Sequence, residues 1–93
     1  TKPDKKKSQA AVQRGKKAEE AGQRDVAIVA YTEALAADPA NAEALRARGK
    51  DYYAGGEREK ALADFERAVE LQPGAAAGYV ARAGFFELAT AVS

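Results

Sequence analysis

Seven positions find a counterpart in the same order 34 positions later, five of them with the same residue. Gly15, Ala18, Gly22, Ala27, Tyr31, Ala34 and Pro39 are answered by Gly49, Tyr52, Gly56, Ala61, Phe65, Ala68 and Pro73. A repeat of this period constrains the fold before anything else does. Each unit is one supersecondary element that must bury its apolar face against the next unit.

Within one unit, two apolar stripes run at helical spacing. Leu45, Gly49 and Tyr52 form the first, and Ala61, Leu62, Phe65, Ala68 and Val69 the second. Gly55 and Gly56 separate them, and Pro73 closes the unit. The pattern predicts helix, tight turn, helix. Upstream, Ser8 to Ala21 reads as a first helix with Ser8 as its cap, ended by Gly22, where a left-handed backbone suits glycine. A second helix is expected over Arg24 to Ala37, with Val26, Ala27, Ala30, Tyr31, Ala34 and Leu35 on its buried side. Pro39 forbids continuation and pushes Asp38 out of the helical region. Asn41 then caps a third helix. Gly15 with Ala27, and Gly49 with Ala61, fall where the helices of each unit would cross, and Tyr31 and Phe65 would fill the gap beyond each crossing.

These residues carry a resemblance. The chain resembles the tetratricopeptide repeat family, whose pattern is a large residue, Leu-Gly, Tyr, Ala, an aromatic, Ala and Pro across 34 residues. Leu45, Arg48-Gly49, Tyr52, Ala61, Phe65, Ala68 and Pro73 follow it, with Leu45 in place of Trp and Arg48 in place of Leu. The resemblance spans Ser8 to Phe86. It implies an all-α fold, an α-α superhelix of helix-turn-helix repeats that curls right-handed. The expected organisation is about two and a half hairpins, or five helices. Residues 1–7 form a basic disordered leader, 8–41 and 42–75 the two repeats, and 76–93 the first helix of a third repeat or a capping helix.

Ninety-three residues fit one small domain. Of the 43 apolar residues 24 are Ala, so the core must be thin and made by close helix approach. Stability belongs near the low end of roughly 5–15 kcal/mol. A net charge of +1 gives no electrostatic case for nucleic acid. The leader TKPDKKK interleaves no aromatic residue with its lysines, so it reads as a solvated flank. A chain opening on Thr reads as a processed or excised piece of a longer protein. The most apolar run, 75–93, contains Arg82 and Glu87, each costing about 2.5–3.5 kcal/mol at a bilayer centre, so no membrane span is expected.

Catalysis through His or Cys nucleophiles is impossible, because the chain has neither. Gly55-Gly56 lacks the Lys-Ser or Lys-Thr of a phosphate loop. The carboxylates Glu19-Glu20, Asp25 and Glu57–Glu59 read as solvated faces, so neither a metal nor another cofactor is expected. The chain is not expected to be an enzyme.

The resemblance implies a scaffold that binds a peptide or a partner protein on a concave surface lined by the first helix of each repeat. Helical spacing puts Val12 and Lys16 there from the first copy, and Arg46, Lys50 and Tyr53 from the second. Lys16, Arg46 and Lys50 should cluster and could hold a carboxylate, with Tyr53 stacking beside them. Against this, the same charges could simply pair with Glu19, Glu20 and Glu43. Some family members clamp the acidic tails of chaperones. The corresponding positions here are Val12, Lys16, Ala47, Ala77 and Ala81, of which Lys16 alone is cationic, so such tails should not bind. Arg14, Arg48 and Arg82 form a ladder at the repeat spacing, and each could reach a carboxylate on its paired helix, as Arg48 could reach Asp64. Finally, Phe85, Phe86, Leu88 and Val92 together exceed what one helix face can bury. Either a further helix follows, or Phe85, Leu88 and Val92 make a self-association surface and a homo-oligomer, or the residues line a ligand groove. No sequence feature marks a compartment.

Overall fold

A computed structural model of the chain describes residues 2–73. It contains four helices, α1 (Lys5–Glu20), α2 (Arg24–Ala37), α3 (Ala42–Ala54) and α4 (Arg58–Leu71), and no strand among the described residues. The fifth helix expected over 76–93 lies outside them, as do Phe85, Leu88 and Val92.

The two turns within hairpins are built alike. Gly22 (φ 75°) and Gly56 (φ 86°) both adopt the left-handed conformation, which costs glycine nothing and other residues about 1 kcal/mol or more. At the first turn, the Gln23 N–H donates back to Ala18 O at 2.8 Å. At the second, the Glu57 N–H donates to Tyr52 O at 2.9 Å. The orphan carbonyls of α1 and α3 are thus satisfied as the chain reverses.

Between hairpins the chain turns differently. Asp38 is extended before Pro39 (φ −145°), as the proline requires. Its carboxylate accepts from the Ala40 N–H at 3.1 Å. Asn41 caps α3 as expected, its Oδ1 accepting from the Ala44 N–H at 3.0 Å.

The first helix starts earlier than its sequence suggested. Asp4, not Ser8, is the cap, accepting from the Lys7 N–H at 2.9 Å. Lys5, Lys6 and Lys7 are helical, and the Asp4 N–H is tied to Ala37 O at 2.9 Å. Ser8 is instead fully buried, and its hydroxyl donates to Ala34 O at 2.7 Å. A serine can do either job, because one hydroxyl serves a cap or a neighbouring helix equally well.

Ser8 meets Ala34 while Gly15 meets Tyr31, so α1 and α2 run antiparallel. A side chain at Gly15 would overlap the Tyr31 ring, and a Cβ on Gly49 would sit 2.8 Å from Phe65 Cε1. Each glycine therefore makes room for an aromatic ring laid directly over it, not beyond the crossing. The core follows: Ala11, Val12, Ala18, Ala27, Tyr31, Ala34 and Ala44 form one buried cluster across α1, α2 and α3. Leu45, Ala61, Phe65 and Ala68 bury the second hairpin. Val26, expected on the buried side of α2, is 53% exposed. It falls one position outside the stripe formed by Ala27, Ala30, Tyr31 and Ala34.

Candidate functional site

Stacking two hairpins sets α3 beside α1, with Tyr31 of α2 beneath them. A cleft of about 350 Å³ opens there. It is lined by Lys16 and Glu19 of α1, Tyr31 of α2, and Glu43, Arg46, Ala47 and Lys50 of α3. Lys16, Arg46 and Lys50 do come together as the helical spacing predicted. Tyr53 lies one turn beyond Lys50 and is 39% exposed. Val12 is the exception. It is fully buried in the core and offers no surface to a ligand. Its place on α1 lies against α2 and α3, where an Ala-rich core needs a larger side chain.

The three cations are in different states. Lys16 Nζ makes an ion pair of 2.6 Å with Glu43 Oε2, bridging the two hairpins. Gln9 Nε2 donates to the other carboxylate oxygen at 3.5 Å. The Lys16 hydrogen bond, helped by its charge and by Gln9 and Arg46, holds the Glu43 carboxyl below the usual range against the cost of burial. Arg46 donates to Gln72 Oε1 at 3.0 Å. Lys50 is exposed and forms no ion pair among the described residues. The pairing partner of Lys16 is thus Glu43, 27 residues away, and not Glu20 on its own helix.

Beside the cleft, three acidic groups from three helices converge, Glu19 of α1, Tyr31 of α2 and Asp51 of α3. The Tyr31 hydroxyl and Asp51 Oδ2 are buried. The Glu19 carboxylate lies within hydrogen-bonding reach of both. Burial, and then the neighbouring Glu19, push the Asp51 carboxyl up to about 7, while Arg24 and Lys50 oppose the shift. Burial first, with Glu19 and Asp51 after it, also raises the Tyr31 phenol. The signal for Asp51 lay in spacing. It follows Ala44 and Ala47 at helical intervals, on the stripe of α3 that faces the first hairpin. Read alone, it was one more acid on a charged helix.

The arginine ladder faces elsewhere. Arg48 meets Asp64 of α4 through two hydrogen bonds of 2.8 Å. It also donates to Thr32 Oγ1 at 3.2 Å and lies 5.5 Å from the centre of the Tyr52 ring. Arg14 pairs with Glu33 of α2 at 2.8 Å. Both bridge paired helices, as the sequence suggested. Arg82 lies outside the described residues. Among those residues there is no group of three or more side chains suited to a metal ion, and no helix is long and apolar enough to cross a membrane.

Residues 42–75 match the tetratricopeptide repeat family model. Among solved structures, the chain is similar to the first TPR of Spaghetti (RPAP3) bound to HSP90 peptide SRMEEVD. The two share 30% identity at a TM-score of 0.85, over 92% of this chain and 69% of that one. The chain belongs to the tetratricopeptide repeat family. No curated protein matches it significantly. As a tetratricopeptide repeat protein, it is a protein-interaction module. The repeat hairpins, the left-handed glycines and the glycine–aromatic contacts are the means by which such a module is built from small residues.

Proposed function

We propose that this tetratricopeptide repeat chain binds a segment of a partner protein in the cleft between α1 and α3, without catalysis. One observation carries the reading: cations from two hairpins, Lys16, Arg46 and Lys50, border one open cleft. The similarity to a solved domain bound to an HSP90 peptide supports it. The proposed repeats are 8–41, extended at its start to Lys5 by α1, and 42–75, with 76–93 as the first helix of a third repeat or a capping helix.

The ligand differs from a chaperone tail in this reading. An acidic tail needs several free donors at close quarters. Here Lys16 is held by Glu43, Val12 is buried and Ala47 is apolar. The cleft is mixed in charge, with Glu19 and Glu43 among its walls, and suits a segment of mixed charge.

The test is selection of peptides from a random displayed library against the whole chain, with the peptide SRMEEVD measured in parallel by calorimetry. Selected peptides should weaken about tenfold or more on Arg46→Glu and Lys50→Glu, and SRMEEVD should not bind at micromolar concentration. Peptides indifferent to both charge reversals would remove the cleft from consideration. Self-association through Phe85, Leu88 and Val92 is the competing reading, and light scattering across a wide concentration range distinguishes it.

A further inference from the structure

We propose that the outer face of α1 docks onto a membrane surface rich in anionic lipid, held there by Lys2, Lys5, Lys6, Lys7 and Lys17 without insertion into the bilayer. The inference is independent of the cleft reading, because it uses none of Lys16, Arg46 and Lys50.

The charge of the chain is unevenly divided. Residues 2–17 carry seven cations and one anion, whereas residues 18–73 carry seven cations and twelve anions. A net charge near zero conceals that division. Asp4 caps α1, and its N–H donates to Ala37 O at 2.9 Å. The lysines expected in a disordered leader therefore stand on a helix pinned to α2. Lys6 and Lys17 are 11 residues apart, so they share one side of α1, three turns and about 16 Å apart. Ser8, Ala11, Val12, Gly15 and Ala18 turn the opposite side into the core. All five lysines are exposed, and none forms an ion pair among the described residues. Arg14 and Lys16, by contrast, are engaged by Glu33 and Glu43. Helix stability does not account for the pattern. In α2, α3 and α4 the first turn holds an acid, Asp25, Glu43 and Glu59, where the helix dipole favours one. The first turn of α1 holds no acid and three lysines.

The kind of residue on this face selects the partner. Clusters of about four to eight cations on a helix suit anionic headgroups, each cation adding about fivefold to the affinity. A lysine is a compact, hydrated charge on a flexible stem, so these five can settle at one level on a plane. An acidic protein segment would favour the planar fork of arginine and an apolar anchor. Between its lysines the face has only Gln9, Ala10 and Gln13, with no aromatic or large apolar side chain. The same lack removes base stacking for a single-stranded nucleic acid and any wedge into the acyl chains. A duplex is wrapped or read in a groove, and the acidic balance of residues 18–73 opposes wrapping. A plane meets the basic edge alone, and the acidic remainder turns away from it, screened beyond about 8 Å at physiological salt.

The test is sedimentation of the whole chain with vesicles of phosphatidylcholine, alone or with about one-third phosphatidylserine. Binding is expected to the anionic vesicles only, and about tenfold or more weaker at about 0.5 M sodium chloride than at about 0.1 M. Lys6→Glu combined with Lys17→Glu, both on the exposed side of α1, should lower the affinity at least about twentyfold and leave the thermal melt in place. Arg46→Glu combined with Lys50→Glu makes the same change in net charge at the cleft and should stay within about threefold of the parent. Equal losses from the two pairs would mean that net charge and not this face decides, and the proposal would fall. It would fall equally on binding to phosphatidylcholine alone as strong as to the anionic vesicles, or on binding to neither. Duplex DNA and polyglutamate are measured beside the vesicles at equal salt and equal charge concentration. Tighter binding to either one would assign the face to a different polyanion and overturn the membrane as its partner.

Discussion

Arg48 and Asp64 grip each other through two hydrogen bonds of 2.8 Å across the second hairpin. Their side chains are 19% and 8% exposed. A fork-to-fork pair this dry fixes how far α3 can slide along α4. Removing one member leaves the other buried and uncompensated. Arg48→Ala is therefore expected to lower stability by about 2–4 kcal/mol in urea unfolding, with peptide affinity unchanged once folding is saturated. Arg14→Ala, whose partner Glu33 is 57% exposed, should cost less than about 1 kcal/mol. Equal losses would mean that burial is not what gives the Arg48 pair its weight.

The glycines set a second expectation. A Cβ on Gly49 meets the Phe65 ring at 2.8 Å, so Gly49→Leu should destabilise by about 3 kcal/mol or abolish folding. Gly49→Ala is the milder probe, and Phe65→Leu beside it should recover part of the loss, because the two changes act on one volume. Additive losses in a double-mutant cycle of thermal melts would refute the ring-over-glycine packing.

Acidity should act in two opposite ways. The Asp51 carboxyl is raised to about 7, so its protonated form suits the fold. That contribution is full below the ordinary carboxylate range and is lost as pH rises through about 7. Glu43 is lowered, so its contribution is present above its unfolded value and is lost on acidification. Asp51→Asn should raise stability at about pH 8 by about 1 kcal/mol after allowing for solvent screening, and should change little at about pH 4. A variant no more stable than the parent in alkaline melts would contradict the buried environment of Asp51.

Glu43 also competes with any incoming carboxylate for Lys16. Glu43→Gln should cost under about 1 kcal/mol, since the pair is 43% and 38% exposed. It should strengthen anionic peptides several-fold by freeing one cation. Calorimetry with a selected peptide, on parent and variant, reads this directly. Weaker binding by the variant would mean that Glu43 contacts the ligand itself.

Much of the scaffold was legible because its signals are local. Glycines that need a left-handed backbone, a proline that stops a helix and an asparagine that starts one act within a few residues. The bond between Arg48 and Asp64 was legible too, since both lie inside one hairpin of known pattern. The cleft was harder. Lys16 chose Glu43 over Glu20 because stacking brings α3 closer than another turn of α1. Val12 was read as surface because its helical position fits both a groove and a core, and only the packing of an Ala-rich interior decides between them. Glu19 and Asp51 meet across two repeats at non-equivalent positions, so no periodicity announces them.

Asn41 links two events that are separate in most helical proteins. Its carbonyl oxygen starts α3 through Ala44, and its amide donates to Ser8 at 2.8 Å, which in turn holds Ala34. Tension drawn along the array cannot part the first hairpin from the second without tugging on that same amide. The joint and the helix it begins are expected to yield together, as one mechanical step rather than two.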